Sequence, residues 1–593
     1  VGLRIADFYL PLDYLASPYK NRSPMMRRLL TFSLLSIVAQ AFAQNPSNSG
    51  ELHGNFQFDG YSYFRDEGLD PSGEDYPEEQ FLGQGFANLI YTRGNITAGL
   101  RYENYQNPIL GYPPGFVGEG ITYRFLQFKK DRLDVTVGNF YEQFGSGMIY
   151  RTYEERLLGL DNAMDGVRLI YEPVDGVRLK GILGKQRVYF EKGEGIVRGI
   201  DGEFNLNELL NALEDSPHRW TFGSSFVSKY EADKDPQFNL PENVGSYGIR
   251  LNYGFKGFGL QGEYVHKIND PSADNGYIYK PGNGLMFTTT FARKGFGFVG
   301  AYKLIDNMSY RSERNAGQFE LFMNFLPPTT KIHTYALPAL YPYATQINGE
   351  TGLQFEVTFK LARGSFLGGK RGGKLSLNYS DAYSLSKDPV ATSDSTQGFR
   401  VAGTDGYKTN YFRFGPHLYF RDVNVAYSRS ASKNFKYTLS YFNFVYNQGV
   451  LGSATNSGGI TDEVLDLDES KADYAFVHVG VFEGLWKIKP KHSLRFELQS
   501  LHTRQDRGDM AMMLLEYSIS PNWFFAAQNI YNYGHPDADQ RLHYPLVSAG
   551  FIQGTTRFQL TFGRQQRGIF CVGGICRVVP ASTSIGLSVT SNF

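Results

Sequence analysis

Long hydrophobic runs are nearly absent from this chain of 593 residues. The one continuous apolar stretch runs from Leu29 to Ala39 and resumes at Ala41-Phe42-Ala43. It falls short of the roughly 20 residues that a membrane-spanning helix requires. Net charge is also absent, with 59 basic and 59 acidic residues, so electrostatics give no support to a nucleic-acid or polyanion partner. Cysteine is scarce, at two residues. Two thiolates with no histidine pair beside them are too few ligands for a metal site. The ten histidines are scattered, and neither H-E-x-x-H nor G-x-S-x-G occurs, which leaves hydrolase chemistry without a motif. A triad of distant residues is spatial rather than sequential, so a membrane-embedded hydrolase stands as a lesser alternative. No cofactor motif is found. The segment Gly364–Arg371 approaches a phosphate-binding loop, but Arg371 stands where Ser or Thr would hold magnesium, and a strand pattern follows it. It reads as a glycine-rich turn. No 40-to-50-residue repeat occurs, which weighs against a propeller.

What the chain does have is tyrosine (41), phenylalanine (47) and glycine (66), a composition of strands and turns. Apolar and polar residues alternate along most of it. Ile96, Ala98, Leu100 and Tyr102 share one face of a strand, while Thr97, Gly99, Arg101 and Glu103 share the other. Leu494, Phe496 and Leu498 oppose Arg495, Glu497 and Gln499 in the same way. Similar runs occur at 133–137, 353–359, 437–441 and 558–562. Period 2 is the signal of a strand with two unlike surroundings. Tight turns at 129–132, 254–257 and 293–295 separate some runs, and long polar loops at 66–80, 387–410 and 449–471 separate others. A transmembrane barrel shows that contrast between its two rims. The last run, Ile585 to Phe593, alternates to its end and stops on an aromatic. It resembles the C-terminal signature of bacterial outer-membrane barrels, whose closing strand ends in Phe, whereas a soluble terminus tends to fray.

The N-terminal organisation fits export. Arg27-Arg28, the short apolar run and Ala41-Phe42-Ala43 have the order of a secretory signal peptide at 25–43. Residues 1–24 match no part of it and read as an over-extended start. The expectation is an all-β, single-chain, transmembrane antiparallel β-barrel over 44–593, of roughly 18–24 strands and an even number, in the outer membrane of a Gram-negative bacterium. Outer-membrane lipid is then a partner. The barrel-assembly machinery would be another, through the strand ending at Phe593.

Three segments break the pattern. Cys571 and Cys576 are equidistant from Gly573-Gly574, a two-residue hairpin centre. They form a directly opposed, non-hydrogen-bonded pair whose Cα spacing suits a disulfide, and an exported protein would be oxidised there. The hairpin from Arg564 to Phe593 is longer than the membrane requires, so its tip is expected to project outward. The segment 141–162 mixes charges at Glu142, Arg151, Glu154, Glu155, Arg156 and Asp161, with Gly145 and Gly147 permitting a sharp bend. It reads as a loop folded into the lumen, where charged side chains set the field of a pore. Arg151 and Arg156 would attract anionic groups and the carboxylates cationic ones. A solvated surface loop is the plainer alternative, although Met148-Ile149 and Leu157-Leu158 need burial. The proline-rich stretch Leu326–Tyr343 cannot be a central strand. It suits a long ordered external loop somewhat better than a second constriction.

The segments Gly138–Gly147, Arg151–Arg156, Asp161–Ala163 with Gly166, and Cys571–Arg577 resemble an uncharacterised porin-like family of Bacteroidetes-type bacteria, a domain of unknown function. The resemblance covers essentially all of 44–593. It implies an outer-membrane barrel and carries over no catalytic or ligand-binding residue. The leading expectation is a channel for small solutes. The alternative is a non-conducting barrel that serves as scaffold or partner in a secretion or surface-protein assembly.

Overall fold

The computed structural model describes residues 50–593 except 74–75, 318–319, 392–396, 451–472 and 573–574. The expected start and signal peptide at 1–43, the Gly573-Gly574 turn and most of the 449–471 loop lie outside the described residues. No helix among the described residues is long and apolar enough to cross a membrane.

Alternation along the chain produces one closed antiparallel barrel of 24 strands, as its period required. Each wall strand pairs with its neighbours in sequence. The ring closes where Glu51–Phe64 meets Ser582–Asn592, in register from Asn55 opposite Asn592 to Phe64 opposite Thr583. Gly54 and Phe593 extend that seam by exchanging backbone hydrogen bonds of 2.9 and 3.0 Å. Opposed residues share a face, so the register identifies the outside directly. The rung Leu126, Val137, Val167 and Leu183 crosses four strands and leaves these side chains 54, 52, 42 and 51 % exposed. A continuous apolar row of that exposure is a lipid-facing surface.

The two rims differ. Turns of two residues join strands at 94–95, 131–132, 256–257, 294–295, 490–491 and 554–555, and Gly50 and Phe593 lie at this same rim. Long connections gather at the other: 65–80, 141–163, 307–348 and 566–581. The glycine-rich turn at 364–371 holds only one 3-10 turn, Gly369–Arg371, before the strand Gly373–Ala391. The expected polar loop at 387–410 is shorter than its composition implied. Strands Gly373–Ala391 and Tyr407–Ser430 continue pairing through Lys387, Asp388 and Pro389. Polar residues on both faces of a ribbon beyond the membrane look the same in sequence as a loop.

Much of the lumen wall is apolar. In the strand Tyr474–Lys489, Ala475, Val477, Val479 and Val481 are buried inward while Phe476 is 49 % exposed outward. On the opposite side Val227, Val244 and Val265 are fully buried. Such a wall has to be covered, and the long connections fold inward to cover it. Leu337, Tyr341, Tyr343 and Ala344 pack on Ala382, Phe420, Phe444 and Val477. The Leu326–Tyr343 stretch is therefore a lumenal segment and not the external loop expected of it. Its prolines prevent a strand while its aromatics supply the apolar cover. The terminal hairpin also departs from expectation. Its tip is a separate ribbon, Gly568–Val572 paired with Ile575–Val579, set off from the wall by 566–567 and Pro580-Ala581. Instead of projecting, it bends over the lumen. Cys576 is buried in the same cluster as Leu337, Val477 and Met510.

Candidate functional site

The inward turn of 141–163 begins at the end of Leu133–Phe140, where Gly138 has φ +102° and a Cβ would strike the Arg124 carbonyl. Gly145 and Gly147 also adopt positive φ, +56° and +98°, which L side chains resist. Two very short ribbons follow, Gln143–Phe144 with Tyr150–Arg151 and Glu154–Glu155 with Leu160–Asp161. Met148, Ile149 and Leu158 are buried, whereas Leu157 is exposed. Met148 and Ile149 sit among Val227, Val244, Val265 and Ile305 of the wall. Each fully buried aliphatic contributes about 1.5–3 kcal/mol, so apolar packing fixes the segment.

The charged residues are then brought into three arrangements. In the first, Asp161 is buried between two wall arginines. Arg187 Nη1 donates to Asp161 Oδ2 at 2.6 Å, Arg101 Nη2 donates to the same oxygen, and Tyr141 Oη donates to Oδ1 at 3.0 Å. Glu103 accepts from Arg187 at 3.0 and 2.6 Å and lies 2.6 Å from Arg101 Nε. Glu154 accepts from Arg101 at 2.9 Å and from Arg156 at 2.7 Å. Arg156 also donates to Gln57 at 2.8 Å and stacks on Phe86. Three guanidinium groups thus meet three carboxylates. Burial alone would raise the Asp161 carboxyl, but Arg187 and Arg101 together hold it below the usual carboxylate range.

In the second, Glu142 accepts from Lys180 at 2.7 Å and lies 3.7 Å from Arg168, which also donates to Asp134. Among the described residues, Arg151 meets rings and no acid. Its guanidinium lies 4.5 Å from the Tyr153 ring centre and 4.2 Å from that of Phe325. Glu155 accepts from the Leu157 backbone at 3.3 Å.

The third arrangement borders a cavity of about 250 Å³ beside the bend, lined by Gly145, Ser146, Glu203, Arg250, Gln261 and Glu263 among others. Arg250 donates to both oxygens of Asp201, at 2.7 and 3.1 Å, and more distantly to Glu203 at 3.4 Å. Glu263 accepts from the Ser146 backbone at 2.8 Å. Three carboxylates face one guanidinium.

Sequence reasoning named the members of the inserted segment and missed their wall partners Arg101, Glu103, Arg187, Asp201, Arg250 and Glu263. Arg101 and Glu103 were visible as the polar face of an alternating strand. Nothing local marked them as lumenal partners of a segment some 50 residues away. Cys571 and Cys576 form the expected disulfide, with Cα atoms 4.1 Å apart. Arg577 beside them donates to the carbonyls of Gly111 and Leu157 at 2.8 Å each and of Leu110 at 3.3 Å. Among the described residues, no group of three or more His, Cys, Asp or Glu could hold a metal ion.

An antiparallel barrel with one apolar outer band and an occupied lumen defines a membrane-barrel class of protein. Residues 25–593 match DUF6029, a family of unknown function, and the chain belongs to it. No curated protein matches the chain. Among solved structures, it is similar to the siderophore receptor PirA from Pseudomonas aeruginosa at 8% identity, with 93% of this chain and 81% of that one covered and a TM-score of 0.37. It is similar to OccAB4 of Acinetobacter baumannii at 9% identity, with 93% and 100% covered and a TM-score of 0.34. The translocation pore of the P pilus usher PapC gives 9% identity, 91% and 99% coverage and a TM-score of 0.36. Likeness at this level assigns no cargo to this chain.

Proposed function

We propose that this protein is a porin-like outer-membrane channel for small solutes, narrowed by the segment 142–161. The observation that carries this reading is the acid-rich cavity beside the inward bend. Its lining carries Glu203 and Glu263 against one guanidinium, Arg250, which the buried Asp201 also engages, and unbalanced charge there acts on a passing solute. The paired charges of the segment, Glu142, Glu154, Arg156 and Asp161, hold its shape. Arg151 and Glu155 complete its lumenal face. Delivery to the outer membrane would use the barrel-assembly machinery, which would read the strand ending at Phe593.

The test is single-channel recording of the purified protein in planar bilayers under a potassium chloride gradient. Discrete steps are expected, with a reversal potential favouring potassium. Glu203→Gln with Glu263→Gln should lower that preference severalfold, whereas Arg151→Gln should raise it, because stacking between two rings leaves the positive charge of the guanidinium in place. A silent barrel that co-purifies with another protein would replace the channel with the scaffold reading.

A further inference from the structure

Four consecutive connections of the short-turn rim carry charge of one sign. Residues 292–297, 359–376, 428–438 and 486–493 hold 13 lysines and arginines and no aspartate or glutamate. Lys360, Lys374, Lys436 and Lys487 face the lumen by register, on the side of Glu356 and Glu483. Those acids are engaged: Glu356 lies 3.1 Å from Lys331, and Glu483 lies 3.1 Å from Arg495. Arg363, Lys370, Arg371 and Lys433 lie on the turns and are exposed. Arg429 points to the outer wall, in a row with Tyr437, Gly484 and Phe496. Among the described residues, the first carboxylate above it on that wall is Asp381. Asp381 stands opposite Arg421, eight residues along its strand from Gly373, the partner of Arg429.

The longest of the four connections, 362–372, is bent outward onto the same wall. Tyr427 Oη donates to the Leu367 carbonyl, and an added Cβ on Gly369 would strike the Arg429 guanidinium. Tyr427 itself faces out, because it shares a row with Leu439 and Leu498, which are 46 and 49 % exposed. Phe366 on this turn is 96 % exposed and Leu367 47 %. From Tyr427 upward the wall opens into a groove of about 550 Å³, lined by Val425, Leu439, Tyr441, Phe482 and Leu498 among others. Its floor is Gly480, where an added Cβ would meet nothing within 4 Å. Cations, an exposed aromatic and an apolar groove thus follow one another up a single strip of outer wall.

We infer that this strip binds an anionic glycerophospholipid of the periplasmic leaflet, the side on which a transmembrane barrel carries its short turns. Arg363, Lys370, Arg371, Arg429 and Lys433 hold the phosphate headgroup. Basic side chains next to a bilayer attract anionic headgroups, and arginine pairs with phosphate through parallel donors. One acyl chain lies in the groove over Gly480, and Phe366 with Leu367 enters the leaflet beside it. Trp486, 48 % exposed on the outer wall, marks the interfacial height at which such aromatics sit. A free phosphate or a water-soluble acidic partner would use the cations and leave the groove empty.

The experiment is native mass spectrometry of the full chain, delipidated in detergent and titrated with phosphatidylglycerol or with phosphatidylcholine of the same acyl length. Phosphatidylglycerol is expected to be retained at least about fivefold more. The quadruple variant Arg363→Gln, Lys370→Gln, Arg371→Gln, Lys433→Gln should fall close to the phosphatidylcholine level. Gly480→Phe, which fills the groove without touching a cation, should lower phosphatidylglycerol retention severalfold. Arg132→Gln with Arg219→Gln, on the arc of the same rim that carries Glu172, Asp175 and Glu214, should leave retention unchanged. Unheated gel migration verifies that each variant is a folded barrel. In vesicles of brominated phosphatidylglycerol, the emission that Phe366→Trp adds to the parent's should be quenched. Equal retention of both lipids by the parent protein, or full retention by the folded quadruple variant, would overturn the assignment. So would displacement of the lipid by millimolar inorganic phosphate, which would mark a free-phosphate site. Unquenched emission from Phe366→Trp would turn the loop toward a water-soluble partner and overturn it as well.

Discussion

Asp161 holds the lumenal segment to the wall through charge. Its carboxylate takes Arg101, Arg187 and the Tyr141 hydroxyl at once. Removing one member of a buried ion cluster leaves the others desolvated and underpaired, at a cost of about 3–5 kcal/mol. Asp161→Asn keeps the shape and loses the charge, so it should lower urea resistance in micelles by an amount in that range. Arg156→Gln should cost less, because Arg156 is partly solvated and Arg101 still engages Glu154. The sign of the pH dependence follows from the depressed Asp161 pKa. A carboxyl whose pKa is lower folded than unfolded stabilises the protein above its unfolded value of about 4. That contribution is lost as pH falls through the folded pKa. The urea midpoint contributed by this group should thus be flat from neutral pH to about 5 and decline below about 4. In Asp161→Asn the acid decline should be shallower. A midpoint with the same acid slope in both proteins would remove Asp161 from the account.

The disulfide ribbon is the element most exposed to test, because Arg577 ties it to two other segments beside the apolar contacts of Cys576. Arg577 donates to three carbonyls on two other segments, and hydrogen bonds from a charged donor contribute about 1.5–3 kcal/mol each when buried. Arg577→Ala should release the ribbon and raise its rate of cleavage by a protease added from the long-loop side at least tenfold, with the rest of the barrel resistant. Unchanged cleavage would place the fastening in the apolar contacts of Cys576 instead. This element also marks where the sequence became hard to read. Alternation made the wall strands, the tight turns at 129–132, 254–257 and 293–295, and the closing strand legible, because each depends on its own residues. The ribbon's inward course depends on Gly111 and Leu157, far away in sequence. Leu326–Tyr343 was equally opaque: its prolines excluded a strand and were silent on direction. A usable clue was present in 475–481, where Ala475, Val477, Val479 and Val481 lie on one face and Phe476 on the other. A strand apolar on both faces implies a lumen that something must cover.

At the scale of the whole barrel, closure and delivery make separable demands on Phe593. Closure rests on the backbone: nearly all of the seam between Glu51–Phe64 and Ser582–Asn592 is main-chain pairing, and Gly54 exchanges its two bonds with Phe593 through peptide groups. The ring lies over Gly54, where an added Cβ would come within 2.5 Å of it. Phe593→Ala should therefore keep the register and lose part of one aromatic burial, about 1–2 kcal/mol against the 1.5–3 kcal/mol of a fully buried ring. Refolded from urea into lipid vesicles, the variant should reach nearly the folded fraction of the parent, read by unheated gel migration. Recognition by assembly machinery makes the opposite demand, because a receptor reads the side chain and not the ladder. Expressed in a Gram-negative host, the same variant should then lose severalfold in outer-membrane abundance. Equal loss in vesicles and in cells would assign the ring to closure. No loss in either would remove Phe593 from both roles and leave the 24-strand register as the whole determinant of assembly.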